Sequence, residues 1–170
     1  MIRSFRGIKP RIAASAYIDP GAHVIGDVEI GERSSVWPAA VLRGDIEPIR
    51  VGADTNIQDG TIIHTDKGFP ATIGDRVSVG HSVILHGCTI EEDSLIGMGA
   101  TVLNGARIGR GAVVAAGALV PEGMDVAPDM LVMGTPAKPR RPVTAEEKIR
   151  FERGVAGYAE RARQFKEEQP

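Results

Sequence analysis

The chain has 170 residues and a formal net charge of −2, and aromatic residues make up only 4 % of it. That length supports one domain with a sizeable core, and the near-neutral balance excludes nucleic acid and anionic membrane as expected partners. A single cysteine, Cys88, excludes an intramolecular disulfide. With no targeting run at the N-terminus and no bilayer-spanning apolar stretch, the expected location is cytoplasmic.

Taken in chain order, the first signal is a repeat. From Ile12 a branched aliphatic returns every six residues, at Ile18, Val24, Ile30, Val36 and Leu42. Three extra residues precede Val51, Ile57 and Ile63, and four more precede Ile73, Val79 and Leu85. One residue is then dropped before Ile90, Ile96, Val102, Ile108, Val114 and Val120. Four residues after most of these anchors the side chain is small, as at Ala22, Ala40, Thr61, Ala100 and Ala118. A six-residue period is too short for a helical repeat. It fits an all-β solenoid of short parallel strands whose coils stack about 4.8 Å apart over an aliphatic column.

This pattern resembles the hexapeptide-repeat left-handed β-helix proteins, in which three hexapeptides make one triangular coil and trimers are common. The resemblance implies the left-handed winding, which runs against the usual crossover of parallel strands. At three hexapeptides per coil the chain is expected to form about six coils. Residues 1–121 are assigned to this β-helix domain. After Val120 the anchors stop, and Pro121, Pro128, Pro136, Pro139 and Pro142 mark an extended connector over 122–143. Thr144-Ala145-Glu146-Glu147 reads as a capping box opening a helix over 144–168. Its stripe of Ile149, Phe151, Val155, Tyr158, Ala162 and Phe165 is expected to pack back on the β-helix.

Three of the four histidines, His64, His81 and His86, lie in one stretch of this repeat. Three imidazoles suffice for a catalytic zinc with an open fourth position. Every third anchor lies on one face, and the residue after an anchor points outward. Arg43, His64 and His86 therefore stack on successive coils, the two histidines about 5 Å apart. Gln58 and Asp59 follow an anchor on a second face, where His81 takes the position of Asp59 one coil on. Five residues of extended chain, about 16 Å, separate His81 from His86 around a corner. His81 thus meets the other two only if a second subunit supplies it, and a closed ring of three copies would create three equivalent interface sites. His23 has no partner histidine and reads as a surface residue.

The triplet Arg43-Gly44-Asp45, the motif Asn56-Ile57-Gln58-Asp59 and the spacing of His64, His81 and His86 resemble the γ-class carbonic anhydrases and their bacterial homologues. The resemblance covers Ile12 to Pro139 and the closing helix. It implies that the three histidines hold Zn²⁺, with Fe²⁺ or Co²⁺ as alternatives, and that hydroxide on the metal converts CO₂ to bicarbonate in a homotrimeric lyase. Gln58 would orient the hydroxide or CO₂, Arg43 and Asp59 would pair across the interface, and Asp45 would support Arg43. The loop Thr65–Pro70 carries no glutamate, which leaves Glu47 as the candidate proton shuttle. Tyr158 reads as stripe packing and Cys88 as a small buried residue. Two other functions compete. One is an acyltransferase of the acetyl-CoA type, suggested by the repeat and by Gly134-Thr135-Pro136-Ala137-Lys138, with a histidine as general base. The other is a non-catalytic trimer that binds metal or a siderophore.

Overall fold

The structure, a computed structural model, describes residues 1–168. Short parallel strands wind into a β-solenoid of about seven turns, closed by one C-terminal helix, Ala145–Glu168. Two long strands, His23–Ile30 and Val41–Val51, bend around a corner and so join two of the three faces into a 12-stranded sheet. The remaining face is an 8-stranded sheet.

The anchors stack in register. On the first face Val24, Leu42, Ile63, Leu85, Val102 and Val120 pair in succession. On the second face the column is Ile18, Val36, Ile57, Val79, Ile96 and Val114. Ile12, Ile30, Val51, Ile73, Ile90 and Ile108 form the third. Apart from the half-exposed Ile12 and Ile18 on the first coil, all of these are buried. Each coil buries its apolar side chains against the next, and this nearest-neighbour burial is what stabilises a solenoid.

Corners are set by backbone conformation. The residue three after an anchor has positive φ at Arg33, Asp54, Arg76 and Asp93 along one edge, with φ between 54° and 62°. Such left-handed residues are unfavourable outside glycine by about 1–2 kcal/mol. Here they alternate in charge along the edge, and Arg33 meets Asp54 at 2.6 Å while Arg76 meets Asp93 at 2.6 Å. The small side chains one position further on turn inward. Those with hydroxyls donate to the next coil, Thr55 to the Gly74 carbonyl at 2.7 Å and Thr61 to the Gly80 carbonyl at 2.9 Å.

The repeat does not stop at Val120. Val126 pairs in parallel with Ile108, and Val132 with Val114, both buried. The stretch 122–143 is therefore a further coil in its first half rather than an extended connector. Pro128 fits because it precedes the left-handed Asp129 just as Pro38 precedes the left-handed Ala39. Proline is favoured at that place in a turn whose next residue has positive φ. The parallel winding ends where Met130–Met133 pairs antiparallel with Lys138–Pro142.

The capping box forms: the Glu147 amide donates to the Thr144 hydroxyl at 3.2 Å, and the Thr144 amide donates to the Glu147 carboxylate at 2.9 Å. The stripe splits into two contacts. Phe151 packs on Val113, Leu131 and Val143, while Tyr158, Ala162 and Phe165 pack on Tyr17 and Trp37. Ile149, expected in the stripe, points away and is 49 % exposed.

The three faces differ in what covers them. The helix lies over the second. The third carries a charged outer column with Glu29, Arg50, Arg107 and Asp125. The first carries Val41, Ile62, Ile84 and Leu119, with Ile62 and Ile84 exposed to 45 % and 40 %. No helix among the described residues is long and apolar enough to cross a membrane.

Ile108→Ala is expected to destabilise the protein by about 2–5 kcal/mol in denaturant unfolding, through lost burial and a cavity. Arg107→Ala on the same strand removes only exposed ion pairs and is expected to cost less than about 1 kcal/mol. The Arg141 guanidinium and the Thr144 amide hold the Glu147 carboxyl down at about 2, against an ordinary value of about 4.3. Because the folded value is the lower one, the contribution is present above pH ~4.3 and is lost as pH falls towards 2. Glu147→Gln is therefore expected to lower stability at neutral pH and to flatten the acid limb of the unfolding curve across that window.

Candidate metal centre

The register that stacks the anchors also stacks their outward neighbours. Arg43 pairs with His64 and His64 with His86, on three successive coils of the first face. The imidazoles tilt by 60° with centroids 5.1 Å apart, which brings His64 Nδ1 to 3.1 Å from His86 Nε2.

Each outer nitrogen is held by an oxygen. His64 Nε2 lies 3.0 Å from Asp45 Oδ1, and His86 Nδ1 lies 2.7 Å from Asn104 Oδ1. An oxygen that only accepts places the ring proton on the nitrogen facing it. In the neutral imidazoles the lone pairs of His64 Nδ1 and His86 Nε2 therefore converge on one point. Two lone pairs 3.1 Å apart repel unless a cation or proton lies between them. A single ion can reach both, since metal–nitrogen bonds of ~2.0–2.1 Å enclose an angle of about 100° over that separation, near tetrahedral. The pair fits a metal.

Asp45 comes from the three-residue insertion after the first-face strand. Its carboxylate bonds both Arg43 and His64. Burial raises the Asp45 carboxyl, but the bonds from Arg43 and His64 outweigh it and leave it below the ordinary value. Gly44 permits the close approach that sets this strand, because a Cβ there would sit 2.4 Å from the Asp27 carbonyl oxygen.

On the second face His81 and Asp59 sit one above the other, with His81 Nδ1 2.9 Å from Asp59 Oδ2. That contact leaves His81 Nε2 as the free nitrogen on a side chain 44 % exposed. Gln58 is buried and donates to Asn56 Oδ1 at 2.9 Å, and Asn56 in turn donates to Ser78. Gln58, His81 and Tyr158 line a cavity of about 480 Å³ between this face and the helix. Burial, reinforced by the Asp59 charge, raises the Tyr158 phenol, and its ring packs edge-on against Trp37 at 5.5 Å.

The single chain thus gathers Arg43, Asp45, His64 and His86 on one side and Gln58, Asp59 and His81 on the other. Among the described residues no three His, Cys, Asp or Glu side chains are grouped to hold a metal. Arg43 pairs with Asp45 and Asp59 with His81, so neither partner of the expected Arg43–Asp59 pair is idle within the chain. Glu47 is tied to the Thr65–Pro70 loop, its carboxylate accepting the Gly68 amide at 3.0 Å. His23 lies in a strand opposite Val41, half-buried rather than at a surface turn. Two contacts escaped the sequence reading, Asp45 on His64 and Asn104 on His86. Asp45 had a signal, since its insertion lies beside Arg43.

This fold defines a solenoid protein of the hexapeptide class, and the description "Bacterial transferase hexapeptide (six repeats)" matches residues 9–44, 70–103 and 87–122. The "Probable carbonic anhydrase" of Methanocaldococcus jannaschii is 54 % identical over 136 residues, 80 % of this chain and 86 % of that one. The "Carbonic anhydrase" of Geobacillus kaustophilus is 44 % identical over 166 residues, 98 % of this chain and 91 % of that one. Among solved structures, a Bacillus cereus protein described as an acetyltransferase is 43 % identical with a TM-score of 0.98, covering 99 % of this chain and 98 % of its own. The chain belongs to the γ-class carbonic anhydrase-like family of hexapeptide-repeat proteins.

Cys88, two residues past His86, is no ligand candidate. It is 1 % exposed inside the coil, and burial pushes its thiol up to about 12. Iodoacetamide at mildly alkaline pH is expected to leave it unmodified in the folded protein and to alkylate it in denaturant, as read by mass spectrometry.

Proposed function

We propose that the chain forms a homotrimer in which His64 and His86 of one subunit and His81 of the partner subunit hold a divalent ion, Zn²⁺ or alternatively Fe²⁺ or Co²⁺. We further propose that the site interconverts CO₂ and bicarbonate. The observation that carries this reading is the pair of imidazole lone pairs converging at 3.1 Å while the third histidine stands on another face. A site of two nitrogens is incomplete, and the apolar column of Ile62 and Ile84 beside it supplies surface for a second copy to bury. The heterologous contact of one face with another closes after three copies.

The ion would act as a Lewis acid that brings the pKa of water to about 7. The chain's own groups supply the rest. Asp45 and Asp59 fix the tautomers of His64 and His81, each leaving the other nitrogen ready to ligate. Gln58, its amide held by Asn56, has its carbonyl free to orient water or CO₂. Arg43 neutralises Asp45, so that the carboxylate steers His64 without leaving a bare charge at the site. Glu47, at the rim on the Gly68 amide, is the candidate to take the proton outward.

The Bacillus cereus neighbour described as an acetyltransferase favours a second reading, acyl transfer from a thioester. A histidine serving as general base needs a lone pair open to its substrate; His64 and His86 aim theirs at each other, which leaves His81 Nε2 as the candidate base on that reading. Isothermal titration with CoA decides this directly, and tight binding would favour the second reading.

Purified trimer is expected to contain about one metal per subunit by elemental analysis, and to show CO₂ hydration in stopped-flow indicator assays. His81→Ala and His64→Ala are each expected to lose metal and activity. Refolding the two variants together should restore about a quarter of the sites by random assortment around the ring, because some interfaces then pair intact halves. No recovery, with mixed trimers demonstrably formed, would place all three ligands in one subunit.

A further inference from the structure

We propose that Asn104 is a positioning residue of this site: its amide oxygen fixes His86 in the tautomer that offers Nε2 to a metal. The inference rests on the metal-site reading above and assigns a part to a residue outside the three sequence motifs.

Asn104 belongs to the coil after His86 and reaches back across one strand spacing, so that Oδ1 lies 2.7 Å from His86 Nδ1. Because a carbonyl oxygen cannot donate, Nδ1 must carry the ring proton, and Nε2 is left bare. The bare nitrogen points at His64 Nδ1, 3.1 Å away. Without Asn104 the lone pair of His64 Nδ1 would favour the other tautomer of His86, with the proton on Nε2 between the two rings. The alternative tautomer would aim an N–H at the position where an ion must bind.

Room for the amide is built in. Gly87, which follows His86, has φ of 55°, and a Cβ there would lie 2.5 Å from Asn104 Oδ1 and 2.6 Å from Phe69 Cβ. Any other residue at 87 would displace the amide or the phenylalanine. Phe69 also passes over Gly105, its ring 3.2 Å from where a Cβ would stand, and the Asn104–His86 contact beside it is part-buried. A hydrogen bond shielded from water holds a ring orientation better than an exposed one.

The three imidazoles are then held by two carboxylates, Asp45 and Asp59, and one neutral amide. Within the chain Arg43 already neutralises Asp45, which leaves Asp59 as the carboxylate without a basic side chain beside it other than His81. An amide at 104 thus orients the third ring without adding a third negative charge, a distinction that mere packing of residue 104 would not require.

The test uses full-length wild type, Asn104→Leu and Asn104→Asp. Zinc affinity is measured by competition with a chromophoric chelator, and the His86 tautomer by long-range ¹H–¹⁵N correlation spectra of the metal-free proteins. Asn104→Leu, similar in shape but without the acceptor, is expected to bind zinc about 10–100-fold more weakly and to lose the Nδ1–H tautomer of His86. Asn104→Asp, which keeps the acceptor, is expected to bind within a few-fold of wild type. Unchanged affinity in Asn104→Leu, or a wild-type His86 protonated on Nε2, would overturn the proposal. Wild type that binds no zinc while His86 carries its proton on Nδ1 would instead sink the metal-site reading and leave the positioning contact standing. The wild-type spectrum decides the tautomer even if a variant fails to fold.

Discussion

Parallel pairing between successive coils fixes the distance from any side chain to its counterpart one turn later, and the rest of this protein depends on that spacing. Inside the solenoid it stacks Ile63, Leu85 and Val102 into a continuous apolar column without any need for interlocking shapes. Outside, the same spacing stacks Arg43, His64 and His86. Strand spacing alone would hold two imidazoles too far apart to share an ion at bonding distance. The rings tilt by 60° to close that gap, and Asp45 and Asn104 hold the tilt from opposite sides. Backbone hydrogen bonds set the position of the site, and polar side chains set its chemistry.

Departures from the six-residue period carry the functional groups. A solenoid can extrude residues at a corner and resume its register, because loop length costs little once both ends are pinned. The strand Val41–Val51 does this, passing from Gly44 paired with Gly26 to Ile49 paired with Val28. The residues extruded include Asp45 and Glu47. The second insertion forms the Thr65–Pro70 loop, which receives Glu47 on Gly68 and places Phe69 over Gly87. The repeat supplies rigidity and the interruptions supply reactivity. Such a division is economical, since groups on a rigid scaffold stay aligned without contacts of their own.

The period made most of the fold legible before any coordinates. Branched aliphatics at fixed spacing assign each residue to a face, and the two-and-one division of the histidines follows from counting. The last coil is hidden when every proline is read as a breaker of the repeat. Pro128 occupies a corner position that Pro38 already occupied in the repeat, so the chain itself held the precedent. Side-chain contacts between coils were harder to read. Asn104 lies one place out of phase with His86, and only the ring's orientation shows that its amide reaches back. The position of Ile149 escaped for a different reason. The helix lies over the second face and touches it mainly through Phe151 and through Tyr158 to Phe165, so the apolar stripe is not buried along its whole length.

On the proposed reading, dividing the ligands between subunits makes ion binding and assembly a single equilibrium. A lone chain offers two opposed lone pairs beside an exposed apolar column, and both are unfavourable when left uncovered. A neighbouring copy would relieve the second by burying Ile62 and Ile84 and would complete the first by bringing a third nitrogen. An ion that binds the assembled state and not the separate chain stabilises the assembly by mass action, in proportion to the logarithm of its concentration over its dissociation constant. Reactive geometry then exists only in the complete trimer. On that reading the corner between His81 and His86, with about 16 Å of extended chain between them, is what would tie the site to assembly.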